Sequence, residues 1–318
     1  MTASAARLPG IAWRRSVRTL NRGAGRLETT FADGTDSSLR HPPLLIVGAP
    51  RSGSTLLYQL VVERFDVAYL SNLHCRYFGA PSVAERLARG RLEQRAASYV
   101  SVHGQTAGDT EPSECGPFWN RFFRKSPQYT PVAEANPAQL RRLRAAVRAL
   151  GNAAGRPPVF KNLVCSLRLG PIGAALPEAR FLYVRRDLED NAQSLLAARR
   201  RIHGDYATWW SVEPPEIERL RSLAPHEQVV EQVRGVEAVI EADRDRLGTE
   251  RFLELRYEDV CDDPRRALRD VADFAGAGGI ALLPRREVPE RFDRPGRSSI
   301  EPELQAALAD YVRDTQVA

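Results

Sequence analysis

The chain has 318 residues, 43% hydrophobic and 27% charged, which is enough apolar material for a full core and too little charge bias for a disordered chain. Its net charge of +6 comes from 44 arginines and two lysines, Lys125 and Lys161, scattered from end to end, a bias of the whole chain and not the clustered patch that binds nucleic acid. Four separated cysteines with no CxxC pair argue against a zinc site or disulfide framework. No apolar run approaches the ~18 residues of a membrane span, and no apolar signal segment opens the chain, so the expected compartment is the cytoplasm.

Residues 1–42 mix Arg, Gly, Ser, Thr and Asp without sustained periodicity and end at His41-Pro42-Pro43. They read as a flexible N-terminal arm, with one domain over residues 43–318. Leu44-Leu45-Ile46-Val47 is a short apolar run closed by Gly48 and Pro50, the form of a strand buried on both faces. Leu56, Leu57, Leu60, Val61 and Val62 then recur at helical spacing, so the first unit is strand, Gly-rich turn, helix. Pro158-Val159-Phe160 and Phe181-Leu182-Tyr183-Val184 read as further buried strands, with a helix over 168–176 between them.

Asp187 is placed to cap a helix running through Asn191, Leu195 and Ala198. Val229 to Leu247 carries a long amphipathic pattern. Phe252-Leu253-Glu254-Leu255 is another strand, and Pro264 opens a helix through Leu268, Val271 and Phe274. Strands alternating with helices predict an α/β fold, a central parallel sheet flanked by helices.

Gly48-Ala49-Pro50-Arg51-Ser52-Gly53-Ser54-Thr55 lies between the first strand and its helix. Two glycines at GxxxxG spacing let the backbone wrap an anion while amides and the helix N-terminus point at it. In nucleotide triphosphatases a lysine follows the second glycine. Here that residue is Ser54, and the basic group is Arg51 inside the loop, with Ser52, Ser54 and Thr55 as hydroxyl donors.

The stretch Pro50-Arg51-Ser52-Gly53-Ser54-Thr55-Leu56-Leu57 resembles the 5′-phosphosulfate loop of sulfotransferases that use 3′-phosphoadenosine 5′-phosphosulfate (PAPS). The resemblance implies a P-loop-like sulfotransferase fold, PAPS as co-substrate and no metal. It also implies an arginine at the end of a central strand and a serine eight residues later that bind the donor's 3′-phosphate. Arg186, after Tyr183-Val184-Arg185, and Ser194 fill those positions. Leu255-Arg256-Tyr257-Glu258-Asp259 followed by Asp263-Pro264 is similar to the family's late segment, whose tyrosine lies near the nucleotide. Together the matches cover residues 44–276.

In a chain that has replaced nearly every lysine by arginine, Lys161 at the end of a buried strand marks a place where a compact ammonium is needed. The resemblance puts it beside the bridging oxygen of the donor. Some members carry a histidine two residues after this lysine as the base, but this chain has Leu163 there, so the base lies elsewhere. The candidates are His74, titratable near neutrality, and Glu111 and Glu114 in Glu111-Pro112-Ser113-Glu114.

Phe118-Trp119-Asn120-Arg121-Phe122-Phe123 and Trp209-Trp210 are either core or a platform for a sugar ring. The expected acceptor is a small molecule or glycan, most readily a carbohydrate or glycoconjugate hydroxyl. The competing readings are an ATP-dependent small-molecule kinase with a degenerate loop, which would need a lysine and a magnesium ligand, and a non-catalytic nucleotide-binding module.

Overall fold

The computed structural model describes residues 21, 23, 39–102, 104–294 and 300–315. Five parallel strands form one sheet: β1 (Leu44–Gly48), β2 (Ala68–Tyr69), β3 (Pro158–Lys161), β4 (Arg180–Arg185) and β5 (Phe252–Arg256), in the order β2-β3-β1-β4-β5. The helices are α1 (Ser54–Arg64), α2 (Asn72–Arg76), α3 (Pro81–Glu93), α4 (Gly116–Trp119), α5 (Pro137–Ala154), α6 (Leu169–Ala175), α7 (Leu188–His203), α8 (Ile217–Leu220), α9 (Pro225–Leu247), α10 (Tyr257–Asp262), α11 (Pro264–Ala277) and α12 (Pro302–Asp314).

Side chains alternate across the pleat and so feed two cores. Leu45, Val47, Phe160, Phe181 and Tyr183 join α5, α7 and α9 on one face. Leu44, Ile46, Val159, Leu182 and Val184 join α1 and α11 on the other. Every predicted strand is present. The two-residue edge strand β2 and the helices α2, α3, α4, α5, α8, α10 and α12 were not anticipated, the first being too short for any period to register.

β1 feeds α1 on one face while its neighbour β4 feeds α7 on the other. Diverging connections open a crevice at the carboxyl ends of adjacent strands, the usual ligand position in such sheets. Asp187 caps α7 by accepting from Asp190 N–H at 3.0 Å. Most of the expected N-terminal arm lies outside the described residues. Within it, Leu39 is buried, and Asn21 accepts from Gly79 N–H (2.7 Å) while donating to the Arg76 carbonyl (3.1 Å). Among the described residues no helix is long and apolar enough to cross a membrane.

Two loop glycines are set by close approach. A Cβ on Gly48 would stand 2.5 Å from the Val184 carbonyl oxygen, and one on Gly53, whose φ is +91°, would stand 2.0 Å from the Tyr257 ring. Gly53→Ala therefore combines left-handed strain with a clash. The expected result is a loss of at least about 1 kcal/mol, a fall in Tm of about 2 °C or more in thermal denaturation. An unchanged Tm would show that the loop is not held in this form.

Candidate active site

The loop from Gly48 to Gly53 is clamped from below. Ser166 Oγ accepts from the Gly48 N–H and donates to the Gly48 carbonyl, both at 3.1 Å. At its crest Arg51 adopts a left-handed backbone (φ +68°), a conformation a non-glycine residue holds only where its surroundings impose it. Its Nε donates to Ser194 Oγ at 3.0 Å, which ties the loop to α7.

Arg186 completes the cradle. Its Nη1 donates to the Arg51 carbonyl at 3.3 Å, and its guanidinium carbon lies 4.8 Å from the centre of the Tyr257 ring. The adjacent Arg185 turns away, paired with Glu237, Glu241 and Glu254. Among the described residues neither Arg51 nor Arg186 forms an ion pair with a carboxylate. Burial first, and then the neighbouring Arg186, hold the Arg51 guanidinium below its ordinary pKa. Two half-buried cations side by side without a counter-charge are unfavourable unless an anion fills the gap. Among the described residues buried Arg186 Nε has no hydrogen-bond partner, in keeping with a ligand of many acceptor oxygens.

The crevice is a cavity of about 990 Å³ lined by Arg51, Gly53, Ser54, Thr55, Arg186, Ser194 and Tyr257, and also by Lys161 and Glu114. Ser52 is the one predicted donor residue outside the lining, beneath the loop. Lys161, 3% exposed, donates from Nζ to Thr55 Oγ1 (3.1 Å) and to Glu114 Oε1. Glu114 is fixed at both ends, its carbonyl accepting from Asn162 Nδ2 (3.1 Å) and its Oε2 from Leu163 N–H (3.4 Å).

A profile of the sulfotransferase family matches residues 42–278. The chain is 27% identical over 284 residues to the omega-hydroxy-beta-dihydromenaquinone-9 sulfotransferases Stf3 of Mycobacterium bovis and Mycobacterium tuberculosis, a match covering 81% of this chain and 67% of theirs. The fold is similar to that of sulfotransferase STF9 from Mycobacterium avium, with a TM-score of 0.52 and 16% identity over 96% of this chain and 78% of that one. Sulfotransferase STF1 from Mycobacterium tuberculosis also has a TM-score of 0.52, at 18% identity over 95% of this chain and 80% of that one. The chain belongs to the sulfotransferase family. It is a PAPS-dependent enzyme of the P-loop-like sulfotransferase fold.

Within this sulfotransferase the three candidate bases are set apart. Among the described residues the cavity wall includes Glu114 but neither His74 nor Glu111. His74 is fully buried, its Nδ1 2.8 Å from Ser71 Oγ and its Nε2 3.2 Å from Glu85 Oε2. Glu111 accepts twice from Arg95, which also binds Glu63. Both are held in buried ion networks that sequence spacing does not reveal.

The aromatic run divides too. Phe118, Trp119, Phe122 and Phe123 are core, Trp209 packs on Arg199, and Trp210 reaches the cavity. Sequence reasoning missed the hairpin around Val102 and Gln105, paired by two backbone bonds of 2.8 and 2.9 Å. Its Gly104 would place a Cβ only 3.9 Å from Lys161 Nζ and 3.8 Å from Glu114 Oε1, so the hairpin lies against that pair. A left-handed glycine was its sole signal. Among the described residues no group of three or more His, Cys, Asp or Glu side chains is arranged to hold a metal ion.

The His74 network makes an acid-stability prediction. Burial pushes the Glu85 carboxyl up, but His74 and Arg156 together outweigh it and hold the pKa below its ordinary 4.5. A carboxyl with a depressed folded-state pKa contributes stability that is complete above the unfolded value and lost as pH falls through the folded one. Glu85→Gln should therefore cost roughly 3 kcal/mol of stability at neutral pH, as for a broken buried pair, seen as a lower Tm, and should flatten the fall in Tm below pH 4.5. Parallel Tm curves for the two proteins would remove Glu85 from acid sensitivity.

Proposed function

We propose that this sulfotransferase moves the sulfuryl group to a hydroxyl carried on a largely apolar acceptor, with Lys161 and Glu114 at the reacting end. The observation that carries the assignment of roles is a single cavity whose wall holds both the cation pair Arg51 and Arg186, without a carboxylate partner among the described residues, and Lys161 beside Glu114. PAPS supplies an activated sulfur and a bisphosphate leaving group. Arg51 and the loop amides hold its 5′-phosphosulfate, Arg186 and Ser194 its 3′-phosphate, and Tyr257 lies under the nucleotide.

The Lys161 ammonium is positioned to neutralise charge that grows on the departing oxygen only as the S–O bond breaks. Glu114 accepts the acceptor's hydroxyl proton, since its carboxylate is within the cavity and adjacent to that ammonium. An apolar acceptor is supported by Leu163, Val164, Trp210, Val212 and Cys75 in the cavity lining. Of the aromatics that suggested a sugar platform, Phe118, Trp119, Phe122 and Phe123 are core, and Trp210 lines the cavity. The Stf3 relatives act on a hydroxylated menaquinone derivative, in agreement with this choice.

Donor roles are tested by two ligands. Arg186→Ala and Ser194→Ala should weaken adenosine 3′,5′-bisphosphate by ~1.5–3 kcal/mol through loss of charge-assisted bonds, and adenosine 5′-phosphate far less. Equal losses would take both residues off the 3′-phosphate. A larger thermal shift with ATP than with the bisphosphate would favour the kinase reading.

Chemistry is tested separately. Lys161→Ala should reduce turnover by on the order of 10²-fold while bisphosphate affinity stays within a few fold, and Lys161→Arg should rescue poorly because a planar fork does not replace a compact ammonium. Glu114→Gln should lose a similar factor together with the acidic limb of the pH–rate profile, a limb that His74→Ala and Glu111→Gln should retain. Farnesol and methyl glucoside, offered in parallel with labelled PAPS, distinguish the acceptor classes. Sulfation of the glucoside alone would restore the carbohydrate reading, and turnover of neither with bisphosphate binding intact would favour a non-catalytic module.

A further inference from the structure

Two short segments run side by side at the acceptor end. Ser71 and Pro112 form an antiparallel bridge, Asn72 N–H donates to the Glu111 carbonyl at 3.1 Å, and Ser113 N–H donates to the Leu70 carbonyl at 2.7 Å. This pairing fixes α2 against the start of α4. It brings the Cys75 and Cys115 thiols within hydrogen-bond reach of each other on the wall of the cavity. Cys75 is half-buried and Cys115 is buried. Cys115 holds a left-handed backbone at φ +42° and directly follows Glu114 in the chain. No role in binding the donor or moving the proton falls to either thiol.

We propose that Cys75 and Cys115 form a peroxide-sensitive dithiol that closes to a disulfide and switches off sulfuryl transfer at the acceptor end. Cys75 is the attacking sulfur, because it is the more exposed of the two on the cavity wall. The hydrogen bond from Cys115, helped by one from Ser113, outweighs burial and lowers its thiol pKa to about 7, so a large fraction is thiolate near neutrality. Its sulfur attacks one peroxide oxygen, the O–O bond breaks, and a sulfenic acid and one water result. The Cys115 sulfur then displaces hydroxide from the sulfenic sulfur, and with the thiol proton this leaves as a second water. Two thiols lose one electron each and one hydrogen peroxide is reduced to two waters.

The consequence is local. A disulfide holds its sulfurs about 2.0 Å apart, closer than any thiol hydrogen bond, so closure draws residue 115 toward α2. Glu114 is pulled with it, away from its anchors on Asn162 and Leu163 and from Lys161. Arg186 directly follows β4 and Ser194 stands on α7, and among the described residues neither segment is hydrogen-bonded to either. Oxidation therefore separates transfer from donor binding.

The full chain, purified reduced, is treated with hydrogen peroxide and followed by intact mass, peptide mapping, bisphosphate binding and sulfation of farnesol. The expected result is loss of two hydrogens per chain, a linked Cys75–Cys115 peptide and unchanged bisphosphate affinity. Transfer should fall about tenfold or more and recover with dithiothreitol, as a reversible step on the thiol oxidation ladder does. Cys75→Ser and Cys115→Ser should each keep the same rate before and after peroxide, whatever their starting rates.

Absence of the linked peptide, a stable sulfinic acid on Cys75 instead, or equal peroxide sensitivity in both serine variants would overturn the proposal. The fall in transfer rests on the apolar-alcohol reading, while the mass and peptide readouts do not. A linked peptide without any farnesol turnover would thus count against that reading and not against the dithiol.

Discussion

The structure turns on two guanidinium groups held together without a counter-charge. Arg51 and Arg186 are in contact through the Arg51 carbonyl, and burial already holds Arg51 below its usual pKa. Everything around them resists their separation. Ser166 grips the loop at Gly48, Ser194 takes the Arg51 Nε–H, and Tyr257 presents its ring to Arg186. A site built so that its cations cannot relax away from each other has its binding energy stored as electrostatic demand. An anion that enters meets preorganised donors with little left to reorganise.

That demand explains why the donor half was legible in the sequence. A buried strand, a glycine turn and a helix are local features, and Arg186 with Ser194 spans one strand end and two helical turns of α7, so spacing alone constrains the geometry. Lys161 was legible for another reason, since a lysine stands out in a chain built on arginine. The acceptor half was not legible. Glu114 meets Lys161 across 47 residues, its segment held by the Ser71–Pro112 bridge and by bonds from Asn162 and Leu163, contacts with no periodic signature. His74 looked like a base for its residue type, yet Ser71, Glu85 and Arg156 close it into a buried network.

The arginine bias has a structural use that net charge hides. Arg168 is buried and donates to the Gln128 and Arg124 carbonyls. Arg199, its pKa lowered by burial to about 10, donates to Gln228, Gln232 and the Tyr206 carbonyl. Arg95 joins Glu63 to Glu111. A guanidinium has five donors in a fixed plane, so one side chain can tie several loop carbonyls to the core where a lysine could not. These arginines satisfy buried acceptors in the long connections. They add positive charge without building a basic surface.

The same division of labour bears on how the cavity can change. Its donor wall belongs to β1, β4 and α7, elements packed into both cores, and a shift there would disturb the sheet. The wall proposed to hold the acceptor includes Asn72, Cys75, 104–106, 113–116, 163–164 and 210–212, parts of which are held by side-chain tethers. Gln232, for instance, donates to the Trp210 and Val212 carbonyls at 2.9 and 2.7 Å. Replacing a tether moves a few residues of one wall at the cost of about one or two hydrogen bonds, on the order of 1 kcal/mol each, and leaves the fold intact. Acceptor choice is therefore the property of this enzyme that sequence can alter most cheaply. For the same reason it is the property that strand, loop and helix patterns report least.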